Sequence, residues 1–574
     1  MSAAEHMASP IPEPRIARAR SRSAAESAPS SGDPVRRRIR VIVVAFAFVY
    51  VALIGRLVLF GVDGPASGSG YDPNSAIATS RPDIVDRNGE ILATDINMSS
   101  VYAEPRNVLD PDEATELLTS VLPNLDAGAL RRKLSNNAGF VWVEREITPE
   151  QQRQIHSLGI PGVGFLSEKR RFYPGGAMAA HILGLVNIDN QGISGMEKYV
   201  DDHGLGDLHA AGFARGGDLE PVRLSIDVRV QHIMHDELAK AMDKYSAIGA
   251  TGVVLNAHTG EVLAMASLPD YDPNDPVDAL KPDRLNRMTA GAYELGSVFK
   301  SFTFAMALDS GAVTMNDVID ASKPIRAGGY TIHDFHGKYR PLTVPEVFIY
   351  SSNIGAARMA MRVGTPGVQA YLERFGLTTR LKTDLPEVAS PIVPRRWTDL
   401  TTMNIAFGQG LAVTPMQSAV ADAALVNGGW LVPPTFEPRR PEAAQAMAVR
   451  IIKPEVSRDL RYLLRLNVEK GSGRRAAVPG YLVGGKTGTA QKVVNGRYSD
   501  TARLNSFFAA FPIDDPQYVV LVVLDDPQAA KEGGGTTAGS NAAPTVGAVI
   551  RRSAALLGVE PRRDDGVEAL LVSN

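Results

Sequence analysis

Apolar and polar positions follow several distinct textures along this chain. Residues 1–35 have no apolar period and are rich in Ala, Ser, Pro and Arg, a composition that cannot bury a core. From Val41 to Val62 the chain is apolar apart from Arg56. At about 1.5 Å per residue such a stretch reaches about 33 Å as a helix, enough to span a bilayer core. From about Gly61 to Ser80, Gly, Ser, Asp and Pro mark a linker. Arg81 to Ala93 then predicts two short strands around the Asn88-Gly89 turn, and short mixed elements follow to about residue 220.

The texture changes near Leu224. Val230 to Met242 predicts a helix, and Gly252–Asn256 with Glu261–Met265 a hairpin across an Ala-His-Thr-Gly turn. After Gly296 the run Val298, Phe299, Phe302, Phe304, Met306 and Leu308 predicts a buried helix closed by Gly311. Helical and loop segments fill residues 340–470. Three further strands are predicted over Tyr481–Val494, Asn505–Phe511 and Tyr518–Asp525, with a closing helix over Ala542–Leu557. Two strands before the helical block and three after it imply one five-stranded antiparallel sheet assembled from distant segments, with helices on its faces. The predicted class is α/β of the α+β type.

At 574 residues the chain exceeds one ordinary core, which predicts a large and a smaller domain plus extensions. The absence of cysteine excludes disulfides, Cys-ligated zinc and thiol catalysis. Sixty basic against 63 acidic residues give a net charge of -3, and the excess of basic residues lies before residue 41. The body is therefore mildly acidic, which argues against a nucleic-acid partner. Arg36-Arg37-Arg38-Ile39-Arg40 precedes the apolar stretch and no comparable cluster follows it. The positive-inside rule then sets residues 1–40 in the cytoplasm, 41–62 across the membrane and the remainder outside. A cleaved signal peptide is the alternative; the long leader and the lack of an A-x-A site argue against it.

Chemistry enters at Tyr293-Glu294-Leu295-Gly296-Ser297-Val298-Phe299-Lys300. Residues three apart share a helix face, so Lys300 lies beside the Ser297 hydroxyl, where an amine of lowered pKa can take its proton. Alone, the pair fits an ordinary helix. Ser351-Ser352-Asn353 heads a later helical run, and Lys486-Thr487-Gly488-Thr489 sits in a strand pattern. Acyl transfer needs a nucleophile with its base, a proton donor for the leaving amine, oxyanion donors and an anchor for the substrate's negative end. Ser297 and Lys300 meet the first need. Ser351 can relay a proton, and the Asn353 amide can hold a substrate amide or fix the lysine. Lys486 supplies positive field, the hydroxyls of Thr487 and Thr489 can bind a carboxylate, and Gly488 lets a substrate backbone lie close. Backbone amides of Ser297 and Thr489 are the candidate oxyanion donors. His181 and Glu197 read as structural hydrogen-bonding groups rather than a site.

The set S-x-x-K, S-x-N and K-T-G-T, in this order, resembles the penicillin-binding proteins. Phe407-Gly408-Gln409-Gly410-Leu411 and Gly480 to Gln491 match that family as well, and the likeness runs from the apolar stretch to the closing helix. The resemblance is to class B, and Ser351-Ser352-Asn353-Ile354-Gly355 points to its division branch. It implies a single-pass cytoplasmic-membrane protein whose parts are a cytoplasmic tail (1–40), a transmembrane helix (41–62), a pedestal domain (63–220), a transpeptidase domain (221–558) and a short tail (559–574). It also implies a serine D,D-transpeptidase that cross-links peptidoglycan stem peptides ending in D-Ala-D-Ala at the septum, beside an FtsW-type polymerase and other divisome proteins. β-Lactams would act as covalent inhibitors, and no cofactor or metal is implied. An elongation enzyme, a D,D-carboxypeptidase and a divisome scaffold are the alternative readings. The chain departs from the family pattern at Leu295 and Val298, neither of whose side chains the chemistry needs.

Overall fold

The computed structural model describes Val44 and residues 80–205, 219–494, 496–531 and 533–562. The basic tail, the apolar stretch apart from Val44 and most of the final tail lie outside these residues. Among the described residues no helix is long and apolar enough to cross a membrane.

Strand β1 (Ile84–Val85) turns through Asn88-Gly89 into β2 (Ile91–Ala103). Beyond the predicted pair, β2 runs on to meet β3 (Val141–Ile147) and β4 (Val163–Phe172), both antiparallel to it. The helices Pro111–Val121, Ala127–Leu134 and Pro149–Leu158 bury Leu118, Leu130 and Ile155 against Val101, Ala103 and Val143 of this sheet. Asp110 caps the first of them, and Thr148 with Gln151 forms a capping box on the third.

Strands β2 and β4 carry part of a buried ion cluster. Glu197, on the helix Gly195–Val200, accepts from Arg81 Nε at 2.9 Å and Arg171 Nε at 2.7 Å, and all three side chains are at most 1% exposed. Arg171 also reaches Asp95, and Arg81 reaches Asp201. His181 has a separate partner, its Nε2 bonding the Arg284 carbonyl at 2.7 Å. Both residues are thus structural, as the sequence reading expected. Strand β5 (Val222–Arg223) then pairs in parallel with β1.

The central sheet takes β6 (Gly249–Asn256), β7 (Val262–Leu268), β8 (Gly484–Val494), β9 (Arg497–Phe511) and β10 (Tyr518–Asp525) in the order β8-β9-β10-β6-β7. Every neighbouring pair is antiparallel. The strands are apolar without alternation because both faces are covered. Val254, Val520, Val522 and Phe507 pack on the helices Val228–Tyr245 and Ala542–Ser553. Val253, Leu255, Leu521 and Phe508 face the opposite way, toward the helices Lys300–Asp309, Pro415–Val426 and Pro454–Lys470. That second core continues into Ile84, Leu92, Tyr173 and Met196 of the N-terminal elements. The strand predicted from Asn505 begins earlier, at Arg497, because pairing with β8 extends it through residues 497–503, whose polar sequence carries no apolar pattern.

Candidate active site

Ser297 stands in the 3₁₀ turn Gly296–Phe299, which runs straight into the helix Lys300–Asp309. That helix is buried along its whole length, so its first turn is fixed by packing on all sides. Gly296 has φ of +59°, and a Cβ there would sit 2.9 Å from the Thr489 carbonyl oxygen. The turn is thereby pressed against β8. Gly488 is tighter still, since its Cβ would meet the Leu295 carbonyl oxygen at 2.2 Å and Ser506 Oγ at 2.3 Å. Glycine at 488 is what lets the nucleophile's segment and the Lys-Thr-Gly-Thr strand touch.

Lys300 has no exposed surface. Its Nζ lies 3.0 Å from Ser297 Oγ, 3.0 Å from Ser351 Oγ, 2.7 Å from Asn353 Oδ1 and 2.5 Å from the Ser351 carbonyl oxygen. Lys486, equally buried, donates to Ser351 Oγ at 3.1 Å and to the Thr487 carbonyl at 3.2 Å. The Ser351 hydroxyl therefore bridges two lysine amines. Its residue adopts φ of +54°, a left-handed conformation that a serine holds only when its surroundings dictate it. Burial, and then the neighbouring Lys486 charge, hold the Lys300 ammonium well below the usual lysine range, with Asp334 opposing. Burial alone brings Lys486 down to about 7.

The surroundings that dictate Ser351 come from the loop before it. Asp334 accepts from Ser352 Oγ at 2.7 Å and from Ile354 N at 2.9 Å, while the His333 carbonyl accepts from Asn353 Nδ2 at 2.9 Å. This contact orients the Asn353 amide with its oxygen toward Lys300, so Asn353 fixes the lysine. On the other wall, Thr487 Oγ1 pairs with Ser472 Oγ at 2.6 Å, and Thr489 Oγ1 accepts from Ala538 N at 3.1 Å. Thr489 is exposed, open to a ligand. Glu294 accepts from Gly410 N at 2.8 Å and from Tyr498 OH at 3.1 Å.

Of the eight residues singled out from the sequence, Ser297, Lys300, Ser351, Asn353 and Lys486 are joined by hydrogen bonds, and Thr487, Gly488 and Thr489 continue the strand from Lys486. A family model described as the penicillin-binding protein transpeptidase domain matches residues 250–550, and one described as the penicillin-binding protein dimerisation domain matches residues 76–205. The chain belongs to the class B penicillin-binding proteins. It is 39% identical over 508 residues to the probable peptidoglycan D,D-transpeptidase FtsI of Caulobacter vibrioides, spanning 87% of this chain and 84% of that protein. With the peptidoglycan D,D-transpeptidase FtsI of Escherichia coli it shares 30% identity over 516 residues, 84% of this chain and 85% of that one. Among solved structures, penicillin-binding protein 3 of Mycobacterium tuberculosis, crystallised with aztreonam, resembles it with a TM-score of 0.65 at 26% identity, over 85% of this chain and 98% of that chain.

Within this class B penicillin-binding protein, three contributors escaped the sequence reading. Asp334, Glu294 and Ser472 each act across a fold contact rather than inside a motif.

Proposed function

We propose that this class B penicillin-binding protein is a D,D-transpeptidase that joins peptidoglycan stem peptides through an acyl-enzyme on Ser297. The observation that carries the reading is the buried Lys300 amine, within hydrogen-bond reach of Ser297, Ser351 and Asn353 at once. A neutral Lys300 donates to Asn353 Oδ1 and the Ser351 carbonyl, leaving its lone pair for the Ser297 proton. Ser297 Oγ attacks the carbonyl carbon of the penultimate D-Ala, and the amides of Ser297 and Thr489 hold the oxyanion; donors of this kind contribute about 10²–10³ in rate. As the C–N bond breaks, the proton passes from Lys300 through Ser351 Oγ to the departing D-Ala amine. The departing carboxylate rests on the hydroxyls of Thr487 and Thr489 in the field of Lys486. An acceptor stem amine then attacks the acyl ester, its proton returns along the same path, and Ser297 is regenerated. A β-lactam enters by the same attack, its ring amide being the bond that opens.

The setting follows from the sequence. Residues 41–62 anchor the chain in the cytoplasmic membrane with residues 1–40 inside, residues 63–220 form the pedestal, and residues 221–558 carry the catalysis outside, at the division septum beside an FtsW-type polymerase. The test uses the full chain in detergent with a fluorescent penicillin, followed by a thioester donor and an amine acceptor. Stable label on the wild type, its loss in Ser297→Ala, and amine-linked product are expected. Rapid loss of label to water identifies a carboxypeptidase instead, and absence of label in folded protein leaves only a scaffold.

A further inference from the structure

The loop of residues 333–340 holds the Ser351 turn in place, and most of its own side chains are left over from that task. It follows the hairpin formed by Ile325–Ala327 and Tyr330–Ile332, whose Ile332 is buried with Ala357, Met403 and Phe407. The His333 carbonyl and the Asp334 carboxylate engage Asn353, Ser352 and Ile354, so the start of the loop is tied to the catalytic motif. The residues that follow turn outward, with Phe335 72% and Tyr339 70% exposed. Tyr339 also holds φ of +51°, a left-handed conformation that is costly for a bulky side chain. Strained backbone of this kind gathers at segments that meet ligands.

The loop also presents a cation. Lys338 Nζ lies 4.7 Å from the centroid of the Tyr350 ring, and Tyr350, itself partly exposed, is the residue immediately before Ser351. Arg340 is matched by Glu346 at 2.6 Å, whereas Lys338 has no carboxylate partner among the described residues. The ring orients the Lys338 amine without neutralising it. Under the function proposed above, on which this inference rests, the donor's acyl group lies between Ser297 and the β8 wall. The acceptor amine has to arrive where the departing amine stood, within reach of Ser351 Oγ. The body of the acceptor is then left with the opposite wall, where Tyr350 and the loop stand. An acceptor that is itself a stem peptide ends in a carboxylate, the charge that complements Lys338.

We propose that Lys338, held over Tyr350, is a specificity-determining residue for the acceptor: it receives the C-terminal carboxylate of the incoming peptide and sets that peptide's amine at Ser351. Lys338 touches none of the reacting atoms. In the transfer the amine nitrogen bonds to the acyl carbon, the ester C–Oγ bond breaks, and the amine's proton passes through Ser351 Oγ and Lys300 to Ser297 Oγ.

The test forms the acyl-enzyme on the full chain in detergent from a thioester donor and measures how it divides between amine and water. Two acceptors are compared, Nα-acetyl-lysyl-D-alanine and its C-terminal amide, which share one nucleophilic amine and differ in terminal charge. The wild type should give more amine-linked product per hydrolysed donor with the free acid. Lys338→Met keeps an unbranched side chain without the charge and should cut this acid-to-amide preference about fivefold, the upper end for an exposed ion pair. Lys338→Arg should restore it. Added salt should erode the preference in the wild type and leave Lys338→Met unmoved. A preference unchanged in Lys338→Met, an equal loss for both acceptors as a merely structural role of the loop would give, or an acceptor reaction without acid preference in the wild type would each overturn the assignment alone. Penicillin label that does not depend on Ser297, or donor released only to water, strikes the function reading and the assignment with it, so the two failures are told apart on the wild type.

Discussion

Two buried lysines share one serine hydroxyl, and their opposite duties fix how the rate must depend on pH. In the proposed mechanism Lys300 is the base and needs to be neutral, while Lys486 works through its charge. Acylation should therefore rise with pH as Lys300 loses its proton and fall above about 7 as Lys486 loses its own. Lys486→Arg keeps the charge at every accessible pH, so the alkaline limb should vanish even though the rate drops; stopped-flow penicillin acylation across the pH range reads this directly. The same shift acts on stability. Because the folded-state value of Lys486 lies below its unfolded one, the folded protein binds fewer protons from about 7 up to the ordinary lysine range, and this residue's contribution to stability grows with pH across that window. Asp334 is the other residue to change. Asp334→Ala strips acceptors from Ser352 Oγ and Ile354 N, frees the strained Ser351, and should slow acylation by about tenfold or more. Ser297, Lys300, Ser351 and Lys486 were legible in the sequence because each motif is confined to three or four consecutive residues. Asp334 was not, since its bonds cross from a loop to a helix start 18 and 20 residues on.

Among the elements, β8 carries the heaviest constraint. Its Lys486 faces the serines, its Thr487 leans on Ser472, and its Gly488 lies against Leu295. Gly488→Ala would drive a methyl to 2.2 Å from a backbone oxygen that has no freedom to retreat. The strand must shift, at a cost of about 1–3 kcal/mol, which urea unfolding will measure, together with near-complete loss of penicillin labelling. The apolar runs Gly252–Asn256 and Tyr518–Asp525 named their strands because both faces are buried, and periodicity had little else to say. The start of β9 stayed hidden for the opposite reason: Arg497-Tyr498-Ser499-Asp500-Thr501 is polar, and only pairing with β8 makes it a strand.

At the level of the whole molecule, the N-terminal elements and the later fold share one hydrophobic core, while Glu197 between two arginines ties the N-terminal elements to one another. Glu197→Gln leaves the buried Arg81 and Arg171 with only Asp201 and Asp95 as countercharges, and should destabilise the protein by about 3 kcal/mol, seen as a lowered Tm. The fraction still folded should label with penicillin as before, since the cluster lies apart from Ser297. Sequence texture marked a change near Leu224 but gave no sign that Val222–Arg223 pairs in parallel with Ile84–Val85. Such pairing has no local signature, because the two segments are distant and each is only two residues long. The ion cluster was equally silent, its members scattered from Arg81 to Asp201.

The order in which the central sheet is assembled carries a consequence for the protein's biogenesis. Strands β6 and β7 come early, while β8 to β10 are supplied by the last part of the chain, and Lys486 reaches Ser351 across 135 residues. A nascent polypeptide that has already delivered Ser297 and Lys300 still lacks Lys486, the oxyanion strand and the wall that buries the base. Until those late segments dock, Lys300 stays solvated and protonated, and the serine stays inert. Pairings this far apart in sequence form late in folding. A truncated or half-synthesised chain is therefore expected to be silent toward cell-wall peptides and toward antibiotics alike, with reactivity switched on by completion of the fold itself.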